Sequence, residues 1–138
     1  MKNLGFIKKF SNISDSRGSL LPIEIKKEFG FDVERIYFLY DSTAPRGFHA
    51  HRELQQIMVA VKGSCTVLLD DGRNRQKYLL NSNNEALFID KLLWREIYGF
   101  SKDCILLVAA SLSYSEDDYF RNYNSFLQHV SSEFEGKS

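Results

Sequence analysis

The sequence predicts an all-β sandwich or barrel that is followed by one C-terminal α-helix. Short apolar runs separated by turn residues extend from Leu4 to Leu112, a pattern that is typical of such folds. From Tyr119 onward, apolar residues recur at intervals of three and four, which is the spacing of an amphipathic helix. The chain has 138 residues, of which 43% are hydrophobic, so it is long enough for a single domain with its own core.

The apolar runs define the expected strands. Asp71-Gly72 lies between two such runs and predicts a tight hairpin turn with a positive φ at the glycine, and Lys62-Gly63 predicts a second connection of this kind. The β region is expected to cover about residues 4–112. Its strands are predicted at 5–10, 20–25, 33–40, 47–52, 56–61, 64–70, 76–80, 86–89, 94–98 and 104–110.

The C-terminal helix is expected over about residues 116–134. Ser115 is a suitable N-cap, and the three acidic residues that follow it complement the helix dipole. We expect Tyr119, Arg121 and Tyr123 to pack this helix onto the β region rather than to act on a substrate. The apolar stripe that must pack there, or on a partner subunit, consists of Tyr119, Tyr123, Phe126, Leu127, Val130 and Phe134.

Charge and cysteine content exclude several classes of protein. Eighteen basic residues balance eighteen acidic ones, so there is no positive field to attract nucleic acid. No stretch approaches the ~20 apolar residues of a membrane span, and the N-terminus lacks an apolar signal core. We therefore expect a cytoplasmic protein without membrane or nucleic-acid partners. Cys65 and Cys104 lie in apolar runs and are expected to be buried free thiols, with a disulfide between them as the alternative.

The segment from Pro45 to His51 contains two of the three histidines of the chain. Successive side chains of a strand alternate between faces, so His49 and His51 are expected to point the same way. Imidazoles titrate near neutral pH, so such a pair suits either proton transfer or metal binding. Two core or surface histidines with hydrogen-bonded ring nitrogens are the alternative, but Arg46 beside the pair favours a functional site.

This segment, followed by Gly63 after an apolar strand, resembles the first signature of the cupin superfamily, small jelly-roll β-barrels whose mouth holds a ligand or a metal. Metal-binding cupins would carry a glutamate where this chain has Gln55 or Gln56, and a histidine where it has Arg95. A guanidinium cannot ligate a cation and repels one. The sequence therefore predicts one cupin domain over residues 1–138 without a bound metal, and a weak metal site on the histidines and Glu53 is the alternative.

Five motifs in the same order make the resemblance more specific. Because of these motifs, the chain is similar to the dTDP-sugar 3,4-ketoisomerases, the FdtA-like cupins. The resemblance implies homodimers, sometimes with strand exchange, and no metal or other cofactor. It implies dTDP-4-keto-6-deoxy-D-glucose as substrate and its 3-keto isomer as product, in deoxyaminosugar synthesis such as that for a lipopolysaccharide O-antigen. The motifs lie at residues 15–20, 35–37, 45–51, 69–72 and 118–123, and the likeness covers about residues 10–126.

The implied reaction moves a proton from C3 of the sugar to C4 through an enediol or enediolate. A neutral imidazole can remove that proton and, once charged, can return it. We expect His51 to be the base and His49 to orient it or the sugar, and the two roles can be exchanged. Tyr37 is expected to donate a hydrogen bond to the developing oxyanion, with an ordinary core tyrosine as the equal alternative.

The oxyanion and the diphosphate of the substrate need fixed positive charge. The resemblance implies Arg46, Arg17 and Arg95 as the binding residues. The indole of Trp94 is expected to form a wall of the cavity or to stack on a ring of the ligand, with a core tryptophan as the alternative. Arg17 and Arg95 together match neither product type of the family, so the galacto or gluco configuration at C4 is left open. The alternative functions are a metal-free cupin 3,5-epimerase of the same pathway, a metal-dependent oxygenase and a non-catalytic sugar-nucleotide-binding cupin.

Overall fold

The structure of the protein, a computed structural model, describes residues 3–135 and contains twelve strands and two α-helices over that range. The first half comprises β1 (Phe6–Lys9), β2 (Ile13–Asp15), β3 (Gly18–Leu20), α1 (Ile25–Phe29), β4 (Arg35–Tyr40), β5 (Arg46–His51) and β6 (Gln56–Lys62). The second half comprises β7 (Cys65–Asp70), β8 (Arg75–Leu80), β9 (Glu85–Ile89), β10 (Trp94–Tyr98), β11 (Ile105–Ala110), β12 (Tyr119–Phe120) and α2 (Tyr123–Glu135).

Two five-stranded antiparallel sheets form the body of the protein. The first has the strand order β1-β9-β6-β11-β4, and the second has the order β12-β5-β10-β7-β8. Strands β2 and β3 form a separate hairpin. This arrangement, with a single longer helix at the C-terminal end, confirms the predicted all-β cupin fold.

The apolar residues form three packed layers. The main core lies between the two sheets and includes Met58, Val67 and Leu106. The outer face of the first sheet is covered by α1 and its flanks, where Phe31 packs near Phe88. The outer face of the second sheet is covered by α2, and this layer contains Ala50, Trp94, Phe120, Phe126 and Val130. Strands in the middle of each sheet are therefore buried on both faces.

Nine of the ten predicted strands are present, and the strand predicted at 20–25 is wrong. Leu20 ends β3, and Pro22 follows two residues later; a proline lacks the N–H that a ladder requires. Ile25 and Phe29, one helical turn apart in α1, then pack on the outer face of the first sheet. The hairpin of β2 and β3 was not predicted, because each strand is only three residues long.

The predicted start of the C-terminal helix is also wrong. Residues Glu116–Asp118 form a single 3₁₀ turn, and the next two residues pair with β5 as β12. The α-helix begins at Tyr123, where the side chain of Asn122 accepts a hydrogen bond from the N–H of Ser125 at 3.0 Å. Phe126 and Val130 are buried as expected. The side chain of Phe134 lies outside the described part of the structure.

The positive φ at Gly72 and the cysteine prediction are confirmed, but the hairpin predicted at Lys62-Gly63 is wrong, because β6 and β7 belong to different sheets. Gly72 has a φ of +96°, as expected, but the connection between β7 and β8 is a four-residue loop. Asp71 shapes that loop, because its carboxylate accepts the N–H groups of residues 73 and 74. Cys65 and Cys104 are buried free thiols. Over residues 3–135, no helix has the length and apolar character that crossing a membrane requires.

Candidate active site

A cavity of about 380 Å³ opens between the two sheets, beside the histidine strand β5. Its wall combines side chains from β4, β5, β6, β10 and the segment after β11, and it contains four arginines. These residues are Arg35, Tyr37, Leu39, Arg46, Gly47, His49, Met58, Arg95, Ile97, Tyr119 and Arg121. The fully buried ring of His51 lies directly behind this wall.

A β-bulge in β5 places the histidines. His49 pairs with Arg95, but Gly47 pairs with Glu96, so Phe48 is the extra residue. Gly47 and Phe48 have φ values of +91° and +56°. A Cβ atom on Gly47 would lie 2.9 Å from the carbonyl oxygen of Arg95, so only glycine fits there without a shift.

Beyond the bulge, the rings of His49 and His51 share one face, as predicted. Their centroids are 4.9 Å apart and the rings meet edge to face at 87°. Nδ1 of His49 donates to the carbonyl oxygen of Gly47 at 3.0 Å, because a carbonyl can only accept, and Nε2 of His49 is therefore unprotonated in the neutral ring. Nδ1 of His51 lies 3.1 Å from Oδ2 of Asp118.

Arg95, Gln56 and Tyr37 form a chain of hydrogen bonds in the cavity wall. Nη1 of Arg95 donates to Oε1 of Gln56 at 2.5 Å, and Nη2 donates to the carbonyl oxygen of Leu93 at 2.8 Å. Nε2 of Gln56 then donates to the hydroxyl oxygen of Tyr37 at 3.1 Å. Since that oxygen accepts from Gln56, the hydroxyl proton of Tyr37 is free to be donated to a ligand.

Burial and positive charge hold both histidines in the neutral form. Burial lowers the pKa of His49 to about 4, and the nearby Arg95 guanidinium adds to this shift. Burial, Arg95 and His49 lower the pKa of His51 to about 2. Both rings are therefore unprotonated at neutral pH, which is the state a general base requires.

Two titratable side chains near the histidines, Tyr37 and Arg95, keep their protons at neutral pH. Burial raises the pKa of Tyr37, so its phenol stays protonated and can donate a hydrogen bond. Burial lowers the pKa of Arg95 to about 10, which still leaves the guanidinium charged at neutral pH. The side chain of Arg95 is only 1% exposed, and its Nε atom has no hydrogen-bond partner among residues 3–135. The cavity thus holds a buried positive charge that suits an anionic ligand or transition state.

The expectation that Tyr119 and Arg121 only pack the C-terminal helix is wrong. The Tyr119 ring lies 4.3 Å from the His51 ring and 5.0 Å from the His49 ring, between centroids. Arg121 stacks on Tyr119, with its guanidinium carbon 4.1 Å from the ring centroid. Tyr123 does pack the helix as expected, since its ring lies 5.1 Å from that of Trp94.

Sequence reasoning also missed three polar residues of the site, Arg35, Gln56 and Asp118. Arg35 had a usable signal, because it lies two residues before Tyr37 on one strand and therefore shares its face. Gln56 was considered only as the position of an absent metal ligand. Asp118 lies 67 residues after His51, and no local pattern connects the two.

Two of the predicted substrate-binding residues do not line the cavity. Trp94 precedes Arg95 in β10 and so faces the other side of the sheet, where it packs against Phe126 in α2. Its predicted role as a cavity wall is corrected to a core role. Arg17 lies at the tip of the β2–β3 hairpin, where its 89% exposed side chain pairs with Asp15 at 2.6 Å. By contrast, Arg46 and Arg95 line the cavity as predicted.

A metal site of the usual kind is not assembled here. Across the described part of the chain, no group of three or more His, Cys, Asp or Glu side chains is placed to hold a metal ion. Gln56 accepts a hydrogen bond from Arg95 and donates one to Tyr37, so its amide is already engaged. The cavity instead combines an imidazole that is neutral at neutral pH with charged guanidinium groups.

Comparison with known proteins agrees with this geometry. A family model described as "FdtA: WxcM-like, C-terminal" matches residues 3–131. The chain belongs to the FdtA family. The resemblance predicted from the sequence motifs is thereby confirmed.

Proteins named as sugar 3,4-oxoisomerases or 3,4-ketoisomerases are similar to this chain over most of its length. One is a TDP-4-oxo-6-deoxy-α-D-glucose-3,4-oxoisomerase from Aneurinibacillus thermoaerophilus, which is 43% identical over 123 residues and 88% of either chain. A solved 3,4-ketoisomerase from Helicobacter canadensis is 45% identical, with a TM-score of 0.88 over 92% of this chain and 97% of that one. A mutant of the 3,4-ketoisomerase QdtA from Thermoanaerobacterium thermosaccharolyticum, in complex with TDP-4-keto-6-deoxyglucose, is 34% identical. Its TM-score is 0.90 over 97% of this chain and 99% of that one.

Proposed function

We propose that this protein is a dTDP-sugar 3,4-ketoisomerase that converts dTDP-4-keto-6-deoxy-D-glucose to a dTDP-3-keto-6-deoxyhexose. The observation that carries the proposal is a pair of neutral imidazoles in contact beside a cavity with a buried arginine. Membership of the FdtA family and similarity to proteins named as 3,4-ketoisomerases support the same activity.

The chemistry needs one base, one acid and a stabilised oxyanion. A neutral imidazole of the pair removes the proton on C3, and the C–H electrons form a C3=C4 double bond while O4 becomes the oxyanion. Protonation of C4 and loss of the O3 proton then give the 3-keto sugar. The sum is an isomerisation, so no electron acceptor is consumed. We assign these proton transfers to His51 and His49, whose lowered pKa values leave both rings unprotonated at neutral pH.

Tyr37 and Arg95 are the groups that we assign to the oxyanion. The hydroxyl of Tyr37 accepts from Gln56 and has its own proton left to donate. Arg95 is buried and charged, and its hydrogen bonds to Gln56 and Leu93 fix its orientation. Donors that are fixed before the reaction stabilise a developing charge without the cost of reorganisation.

The diphosphate requires further positive charge. Arg46 is exposed at one side of the cavity, and Arg121 lies at another on top of Tyr119. Arg35 completes the set on β4, with its guanidinium carbon 5.4 Å from the centroid of Tyr37. We assign these three arginines to the diphosphate, because guanidinium groups bind phosphate oxygens in a bidentate manner.

We also propose that the protein works as a homodimer in the cytoplasm, in deoxyaminosugar synthesis such as that of an O-antigen. The β2–β3 hairpin is exposed throughout and carries the apolar side chains of Ile13 and Leu20. The edge strand β4 exposes three further apolar side chains, Ile36, Phe38 and Tyr40. A partner subunit would cover such surfaces. In that arrangement Arg17 acts on the partner's site, since it does not reach the cavity of its own chain.

Incubation of the purified protein with dTDP-4-keto-6-deoxyglucose in deuterated water, followed by NMR, tests this function. We expect conversion to a 3-keto sugar with deuterium incorporated at C4, without NAD(P) or added metal. The coupling constants of the product report the configuration at C4. Label at C3 and C5 would instead indicate a 3,5-epimerase, and binding without any exchange of the C3 proton would indicate a binding module.

A further inference from the structure

Asp118 connects the catalytic histidine strand to the segment that precedes α2. Its Oδ2 atom lies 3.1 Å from Nδ1 of His51, and its Oδ1 atom accepts the backbone N–H of Glu53 at 2.8 Å. Its own carbonyl oxygen accepts the N–H of Arg52 at 2.8 Å. The side chain of Asp118 is only 10% exposed. The carboxylate is therefore fixed, with one oxygen committed to a backbone donor and the other to His51.

This arrangement determines where the proton of His51 lies. A carboxylate has no hydrogen to donate, so Nδ1 of His51 carries the ring proton and Nε2 is left with a lone pair. Nε2 is buried and has no hydrogen-bond partner within residues 3–135. An unpaired buried acceptor is costly and calls for an explanation. The explanation is that the lone pair of Nε2 is kept free to accept a proton from the substrate.

The two histidines differ in the group that faces the Nδ1 atom of the ring. Nδ1 of His49 faces the neutral carbonyl of Gly47, whereas Nδ1 of His51 faces a carboxylate. When a ring takes a proton from the sugar it becomes an imidazolium, and an adjacent negative charge stabilises that ion much more than a carbonyl does. The ring of His51 also contacts His49 and Tyr119, both of which line the cavity.

We propose that Asp118 is a positioning residue, which holds His51 as the Nδ1–H tautomer and makes Nε2 of His51 the base that removes the C3 proton. The inference rests on the proposed ketoisomerase function and assigns the base within it. In this step the C3–H bond breaks, an N–H bond forms at Nε2, and the electron pair enters the C3=C4 bond of the enediolate. The side chain of Asp118 takes no part in these bond changes.

A purely structural role for Asp118, the attachment of the 3₁₀ turn to the end of β5, makes a different prediction for Asp118→Asn. The backbone N–H of Glu53 can only donate, so it selects the amide oxygen of the new side chain. The NH₂ group then faces His51 and donates to Nδ1, which forces the ring proton onto Nε2. The isosteric variant therefore keeps the attachment and blocks the base. Asp118→Ala removes the attachment but leaves both tautomers accessible.

The test compares Asp118→Asn and Asp118→Ala with the wild-type protein and with Asp117→Asn, the exposed neighbour in the same 3₁₀ turn. Steady-state kinetics on dTDP-4-keto-6-deoxyglucose give kcat and KM. NMR of protein labelled with ¹⁵N-histidine reports which ring nitrogen of His51 is protonated, and a His51→Asn sample assigns the signals. General-base catalysis contributes about 10²- to 10⁴-fold, so we expect Asp118→Asn to lower kcat at least ~100-fold with little change in KM.

We further expect Asp118→Asn to be less active than Asp118→Ala, and its His51 to be protonated at Nε2. Asp117→Asn is expected to match the wild type in both measurements. The proposal would be overturned by an Asp118→Asn variant that retains near wild-type kcat, or by a wild-type spectrum with the proton on Nε2, which needs no variant to fold. Absence of turnover in the wild type would overturn the proposed function and the base role with it, whereas the spectra would still show whether Asp118 sets the tautomer.

Discussion

The two buried histidines should make the protein less stable in mild acid. Their pKa values are about 4 for His49 and about 2 for His51 in the folded protein, whereas an imidazole in the unfolded chain has a pKa near 6.5. A group whose pKa is lowered by folding stabilises the native state above its unfolded pKa, and this stability is lost as the pH falls. The loss begins near pH 6.5 and continues down to the folded pKa.

The loss of unfolding free energy at pH 5 depends little on the pKa values of the folded protein, because both values lie below pH 5. A pH of 5 is about 1.5 units below the pKa of a histidine in the unfolded chain, and each unit changes the free energy of unfolding by about 1.4 kcal/mol. Each histidine therefore costs about 2 kcal/mol of unfolding free energy between pH 8 and pH 5, or about 4 kcal/mol for the two. Total stabilities of roughly 5–15 kcal/mol are usual, so a loss of this size is easily measured.

Urea denaturation at the two pH values, followed by the fluorescence of Trp94, measures this loss. Trp94 is the sole tryptophan and is buried under α2, so its emission reports unfolding. His49→Gln and His51→Asn are each expected to reduce the loss by about 2 kcal/mol. His129→Gln, which changes the third histidine and leaves the cavity intact, is the matched control. Equal stability of the wild type at pH 8 and pH 5, or an undiminished loss in both His49→Gln and His51→Asn, would show that burial does not lower the pKa values of these two histidines.

Three further predictions concern the site. Tyr37→Phe removes the proposed oxyanion donor and should lower kcat about 10²-fold with little change in KM, as steady-state kinetics would show; an unchanged kcat would contradict that role. Arg46→Ala should raise KM, because Arg46 lines the cavity. Trp94→Phe should lower the urea midpoint and leave KM unchanged, because Trp94 packs under α2 instead. Titration with dTDP should give a higher Kd for Arg46→Ala and an unchanged Kd for Trp94→Phe. Turnover should be unaffected by EDTA, and inhibition that is reversed by added metal would disprove the proposed chemistry.

Local periodicity predicted most of the fold. Alternation along β5 was enough to place His49 and His51 on one face, even though the bulge at Phe48 was not foreseen, because the bulge lies before both of them. The short elements were not predicted, because local periodicity needs several residues. Strands of two or three residues, such as β12 and β2, contain too few positions to establish a period.

The parts of the site that were missed depend on contacts between distant segments. Tyr119 matched a helical stripe by spacing, but its backbone pairs with His51 and its ring packs on the histidines. Asp118 meets His51 only because β12 adds to the edge of the second sheet. Residue type indicated that Arg95 would be polar and charged, but not that it would be fully buried beside Gln56. Tertiary structure decides these relations, and no local pattern contains them.

The central claim is that a neutral imidazole pair removes the C3 proton of a dTDP-4-keto sugar without a cofactor. Exchange of that proton with deuterated solvent, measured by NMR for the wild type and for His51→Asn, tests it most directly. We expect exchange in the wild-type protein, and we expect a His51→Asn variant that still binds the nucleotide sugar but does not exchange the proton. Exchange at the wild-type rate in that variant would show that the imidazole of His51 is not needed to remove the proton.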